Sequence, residues 1–177
     1  MRINLPNGLT IARILMVPLM VIAFYLPFRG TNLIAAAMFT IAAITDWLDG
    51  YLARRYQQTS DFGAFLDPVA DKLAVTVALF LIVQADKTAL MAVTAAIIVG
   101  REITISALRE WMAAIGERTK VGVAWLGKVK TVVQMIAIII LLMQHRYVGK
   151  PLYWFGKALL IAAAALTIWS AVVYLRA

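Results

Sequence analysis

Asp46 and Asp49 stand three residues apart in TDWLDGYLARR (residues 45–55), and Asp67 and Asp71 stand four apart in GAFLDPVADK (residues 63–72). Both stretches are embedded in apolar sequence, where a carboxylate is costly and marks a substrate, an ion path or a metal. The chain has only nine acidic residues, and these four lie within 26 positions of one another. Clustered oxygen donors, with no cysteine in the chain and its one histidine far away at position 145, suit hard divalent ions, Mg²⁺ or Mn²⁺, rather than zinc or copper. Four carboxylates suffice for two such ions, the arrangement that stabilises attacking and leaving oxygens in phosphoryl displacement.

The elements that carry these residues must bring them to one place. At about 100° per residue, Asp46, Asp49, Gly50 and Ala53 share one stripe of a helix, and Gly63, Asp67, Ala70, Asp71 and Ala74 share one stripe of the next. A tight turn over 55–60 sets Asp49 level with Asp67 and Asp46 level with Asp71, giving two rungs of carboxylates roughly 5 Å apart along the axes. Gly50 and Gly63, lacking Cβ, let a ligand approach the backbone beside the metals, and Arg54 at the lip is suited to hold a phosphate. Plainer roles compete: an ion pair or proton relay for a single aspartate, close helix packing for the small residues, and topology marking for Arg54 and Arg55.

Composition says what kind of elements these are. Of 177 residues, 63% are hydrophobic and 15% charged, which is the balance of an integral membrane protein rather than a soluble domain. Apolar runs near 8–27, 31–54, 61–84, 88–113, 123–144 and 151–175 predict an all-α, six-helix transmembrane bundle forming a single domain over residues 1–177. The first run reads as a retained span rather than a cleaved signal, because Arg13 interrupts it and Phe28-Arg29-Gly30 is no small-residue cleavage site. Helix starts are expected at Thr31-Asn32 and Ser60-Asp61, where short polar side chains cap free N–H groups. Lys and Arg near the segment ends number nine on the side of the termini and five on the other, which puts both termini and a polar cavity on the cytoplasmic side. The net charge of +8 is scattered over these ends, pointing to anionic lipid and anionic substrate and not to nucleic acid. Lys72 is expected to pair with Glu102 or to snorkel, and the tyrosines and tryptophans, Tyr147, Tyr153 and Trp154 among them, to form interfacial belts.

The pattern Asp46-x2-Asp49-Gly50-x2-Ala53-Arg54-x8-Gly63-x3-Asp67-x3-Asp71 resembles the defining motif of the CDP-alcohol phosphotransferases at every fixed position. In that family a hydroxyl attacks the β-phosphorus of a CDP-linked lipid or alcohol and CMP leaves. The resemblance implies that Asp46, Asp49, Asp67 and Asp71 hold divalent metal and that Asp71 also takes the proton of the acceptor hydroxyl. It further implies that Gly50, Ala53, Arg54 and Gly63 accommodate the cytidine nucleotide, that Thr10 and Arg13 reach the nucleotide or a phosphate, and that the chain works as a homodimer.

Outside the motif, PNGLTIAR (6–13), REITISALREWMA (101–113) and GKVKT (127–131) resemble bacterial family members that join CDP-diacylglycerol to glycerol 3-phosphate at the inner membrane. Placement of charge agrees with an anionic acceptor. Arg109 and Lys128 are symmetric about position 118.5 in a second helical hairpin and come near the depth of the carboxylates, so with Arg118, Lys130 and Arg101 they are the candidates for binding the acceptor's phosphate. Serine, inositol phosphate and phosphatidylglycerol are the alternative acceptors within the family. A membrane prenyltransferase or an ion-coupled transporter would also place aspartates in the membrane, but the first lacks the Gly50-x2-Ala53-Arg54 insert and the second requires a gradient.

Overall fold

The computed structural model describes residues 5–56, 61–114 and 125–176. For Asp49, Gly50, Ala53, Arg54, Gly63, Asp67, Arg109 and Lys128 the helix is described but the side chain lies outside the described residues, and Arg118 lies outside them altogether. The elements are α1 (Leu5–Tyr25), α2 (Thr31–Tyr56), α3 (Asp61–Asp86), α4 (Ala89–Ala114) and α5 (Trp125–Arg176), with no strand among the described residues. α5 is broken at Gln144 (φ 60°, ψ 161°) and Gly149 (φ 78°, ψ 159°), so its 52 residues form two limbs and the helical rods number six. Glycine takes such angles at little steric cost, whereas Gln144 must be held in them.

These ends follow the sequence closely. Four helices, with windows Gly8–Tyr25, Pro68–Asp86, Ala89–Met112 and Arg146–Ala171, are long and apolar enough to cross a membrane; Thr31–Asp46 and Val129–Gln144 are shorter apolar stretches. α2 begins at Thr31 as expected, and the group that closes its first turn is the Gly30 carbonyl, which accepts from the N–H groups of Leu33 and Ile34. Gly30 has φ +95°, a conformation open to glycine, and this is why the chain can turn there. At the start of α4 the Thr88 hydroxyl accepts from the Met91 N–H at 3.4 Å, an N-cap that frees the helix from an unsatisfied donor.

Small residues let the rods approach. α1 lies against α2 and α3, α2 against α5, and α4 against α5. Ala35, Ala36 and Phe39 of α2, Ala70, Ala74 and Ala78 of α3, and Ala137, Ile138 and Leu141 of α5 are buried between them. Within α5 the limbs pack so closely that a Cβ on Gly156 would stand 2.8 Å from Ile140 Cγ2. Large apolar side chains also point outward from every rod, including Leu19, Ile41, Phe80, Val93, Ile103, Ile136 and Trp169.

The turn ends opposite the motif aspartates are tied together. The Gly30 N–H donates to the Tyr147 hydroxyl at 2.7 Å, joining the α1–α2 turn to the break in α5. Asp86, at the end of α3, receives Lys157 Nζ at 2.6 Å and the Tyr153 hydroxyl at 2.9 Å, and Thr88 also donates to it. Lys157 lies 4.7 Å from the centre of the Trp154 ring, a cation–π contact. Tyr153 is thus buried on a carboxylate rather than standing in an interfacial belt, because its hydroxyl finds a partner inside.

Candidate active site

Five elements send polar side chains to the same end of the molecule. From α1 come Thr10 and Arg13, one turn apart and both buried; from α2, Asp46; from α3, Asp71; from α4, Arg101 and Glu102; from α5, Lys130 and Gln134, one turn apart and again buried. α1 can place an arginine here because the bonding partner is close at hand. Arg13 Nη1 donates to Asp46 Oδ1 at 2.6 Å, with the arginine side chain 1% exposed and the aspartate 44%. A cation this deeply enclosed needs such a charge-assisted bond.

Two hollows meet at Asp71. The smaller, about 10 Å³ and room for no more than a single water, is lined by Arg13, Phe39, Ala42, Ala43 and Ala74 together with Asp71. The larger has a volume of about 210 Å³ and is lined by Asp71, Lys72, Arg101, Glu102, Lys130 and Gln134, among others. One water needs only roughly 10–15 Å³ of such space, so the larger hollow admits a molecule of several non-hydrogen atoms. Asp71 therefore has Arg13 close on one side and a basic cavity on the other.

The cavity's charges are organised around Glu102. Its Oε2 lies 3.5 Å from Arg101 Nη1 and 3.6 Å from Lys130 Nζ, and Arg101 Nη2 also donates to Ser170 Oγ at 3.1 Å. The expected Lys72–Glu102 pair is replaced by these contacts, since α5 brings Lys130 to the carboxylate; Lys72 instead lines the cavity. Two buried polar atoms of the residues lining this cavity have no hydrogen-bond partner among the described residues: Arg101 Nε and Gln134 Oε1.

Of the four motif aspartates, Asp46 and Asp71 are described with their side chains. Among the described residues no three His, Cys, Asp or Glu side chains converge as a ready metal site; the side chains of Asp49 and Asp67 lie outside them. Those two lie about one helical turn from Asp46 on α2 and from Asp71 on α3. The candidate donors of the motif are all carboxylates, and Arg13 bonds one of them, Asp46, a chemistry that fits a hard divalent ion.

Among the basic candidates, Arg101 and Lys130 line the cavity. Arg109 lies two turns further along α4, about 12 Å from the level of Arg101 at 1.5 Å per residue. Sequence reading passed over Glu102 and Gln134 as parts of the site. A glutamine four residues after a lysine, in a helix otherwise apolar at that level, was the available signal for Gln134.

The family model for CDP-alcohol phosphatidyltransferase matches residues 3–169. The chain belongs to the CDP-alcohol phosphatidyltransferase family. It is 50% identical over 177 residues to the CDP-diacylglycerol–glycerol-3-phosphate 3-phosphatidyltransferase of Sodalis glossinidius, covering 100% of this chain and 96% of the relative. To the enzymes of the same name from Haemophilus influenzae and Escherichia coli K12 it is 51% and 47% identical, over 99% and 100% of this chain and 94% and 96% of theirs. CDP-alcohol phosphatidyltransferases generally work with divalent metal, and the apolar helices make this member a multi-pass membrane protein.

Proposed function

We propose that this chain transfers the phosphatidyl group of CDP-diacylglycerol to glycerol 3-phosphate, giving phosphatidylglycerophosphate and CMP. The observation that carries the reading is the position of Asp71, with Arg13 close on one side and a cavity holding Arg101 and Lys130 on the other. A base there faces the cavity that can seat the acceptor, on the same helix as the motif's Asp67 and next to the α2 stripe that carries Asp46 and Asp49. Full-length similarity to enzymes whose name states this reaction supports the choice of substrates.

In this reading Asp46, Asp49, Asp67 and Asp71 hold Mg²⁺ or Mn²⁺, two ions, which when bound neutralise the pyrophosphate and polarise the β-phosphorus. Gly50, Ala53, Arg54 and Gly63 take the cytidine nucleotide, with Thr10 and Arg13 near it. Arg101 and Lys130 draw the acceptor's phosphate, together with Arg109, Lys128 and Arg118. Asp71 accepts the proton of the attacking hydroxyl, the hydroxyl oxygen of the acceptor bonds to the β-phosphorus, and the bond from that phosphorus to the bridging oxygen breaks so that CMP leaves with the electron pair. Orientation and fixed charge supply most of the acceleration.

The chain is a single domain over residues 1–177 that crosses the bacterial inner membrane six times as a homodimer, with both termini and the cavity on the cytoplasmic side. Outward-facing Leu19, Phe80, Val93 and Trp169 support contact with lipid, and the bias of Lys and Arg supports the orientation.

Mixed micelles of CDP-diacylglycerol with radiolabelled glycerol 3-phosphate test the reading. Label should enter lipid with Mg²⁺ or Mn²⁺ and stop entering with chelator, and Asp71→Asn should lower kcat by about 10²- to 10⁴-fold. Faster labelling from serine or inositol phosphate, or undiminished activity of Asp71→Asn, would overturn it.

A further inference from the structure

The cavity contains a hydrogen-bond acceptor with nothing to accept. Gln134 is only 6% exposed, it lines the 210 Å³ hollow, and its Oε1 has no partner among the described residues. A buried carbonyl oxygen left unpaired loses its hydration without compensation, so an orphan of this kind at a cavity wall marks where a ligand supplies a donor. Across the same hollow Arg101 Nε is a donor in the same condition. The two together describe a ligand that both gives and receives hydrogen bonds.

The charges of the cavity narrow the choice. A phosphate dianion brings acceptor oxygens alone, which suit Arg101 and Lys130 and offer Gln134 Oε1 nothing. An ammonium group would donate, but it would face Lys72, Arg101 and Lys130 around the same space, where of the two carboxylates Glu102 is already held by Arg101 and Lys130 and Asp71 is the proposed base. A neutral hydroxyl remains. The reacting hydroxyl cannot serve, because its proton goes to Asp71. The geometry points to Gln134 as the specificity-determining residue that accepts a hydrogen bond from a second, non-reacting hydroxyl of the acceptor, so that the site selects a polyol phosphate over a monohydroxy one. This rests on the proposed transfer to glycerol 3-phosphate, whose middle hydroxyl is the group read.

The test compares kcat/KM for glycerol 3-phosphate and for 3-hydroxypropyl phosphate, which lacks that hydroxyl, on one preparation of the full chain in mixed micelles with CDP-diacylglycerol. The ratio is independent of the fraction of active enzyme and of changes in phosphate binding common to both acceptors. The unmodified chain should prefer glycerol 3-phosphate by about 5- to 150-fold, the range for leaving one buried acceptor unpaired. Gln134→Met, of similar length and apolar, should bring the ratio close to one, chiefly by slowing glycerol 3-phosphate. Where Gln134→Met yields no active protein, Gln134→Glu, which keeps an acceptor oxygen, should retain the preference. Equal use of the two acceptors by the unmodified chain, a preference that survives Gln134→Met, or one abolished by Gln134→Glu would each overturn the assignment. Failure of the unmodified chain to use either acceptor would instead sink the proposed transfer itself.

Discussion

Arg13 and Glu102 do opposite things with charge at the two sides of Asp71. Arg13 bonds one oxygen of Asp46 at 2.6 Å, so it fixes the carboxylate's orientation through that oxygen. Groups that orient metal ligands from outside typically matter 10–100-fold for metal affinity or activity. Arg13→Ala should therefore raise the Mg²⁺ concentration giving half-maximal rate by about that factor, and an unchanged metal titration would count against this role. Glu102 occupies Arg101 and Lys130 at 3.5 and 3.6 Å, where the acceptor's phosphate is proposed to bind. Its side chain is 37% exposed while that of Lys130 is 7%, so water on the carboxylate's side weakens its hold and the competition amounts to about 1 kcal/mol. Glu102→Gln should lower KM for glycerol 3-phosphate by up to about fivefold and leave KM for CDP-diacylglycerol unchanged; a raised acceptor KM would show that the carboxylate helps to hold the cations in place.

At the scale of elements, the apolar runs and their punctuation carried most of the information. The run 88–113 became Ala89–Ala114, and Leu26 to Gly30 ended one rod and began another, because a helix that must bury its backbone in apolar surroundings stops only where glycine, proline or charge allows. Direction around each rod was far less legible. A helix that is apolar on all sides has no stripe to reveal its inner face, which is how Tyr153 came to be expected at an interface. Pairings between rods were also hidden: Arg13 and Asp46 are 33 positions apart, and nothing in local sequence says that they meet. The motif aspartates were readable because their spacing puts them on one stripe, whereas the lone Gln134 gave only a faint signal until α5 packed beside α3 and α4. Close packing at Gly156 is a property of this same level. Gly156→Leu would drive atoms into Ile140 Cγ2 and Cβ and should cost about 1–3 kcal/mol, read as a lower unfolding temperature in detergent, whereas Gly100→Leu, in open space, should leave it nearly unchanged.

Over the whole molecule, polarity is concentrated at the two ends and the middle is apolar. One end holds the cavity and the motif; the other holds Asp86 with Lys157, Tyr153 and Thr88. The Asp86 and Lys157 side chains are 4% and 11% exposed, so removal of one strands the other. Lys157→Met should destabilise the protein by about 3–5 kcal/mol, and adding Asp86→Asn should restore much of the loss, since both charges are then gone. Additive losses in thermal unfolding of the double variant would mean that the two charges act independently.

The same pair bears on how the protein is made. Lys157 sits within the apolar stretch Arg146–Ala171, while its counter-ion ends α3 and leaves the ribosome first. Asp86, next to the Lys87-Thr88 turn, can stay in contact with water until the last limb arrives, whereas an ammonium within that limb gains a partner only when it docks against α3. The final rod thus enters as a latch on helices already in place. Chains stopped short of residue 157 would keep the motif aspartates and still lack the fastening that closes the bundle at its far end.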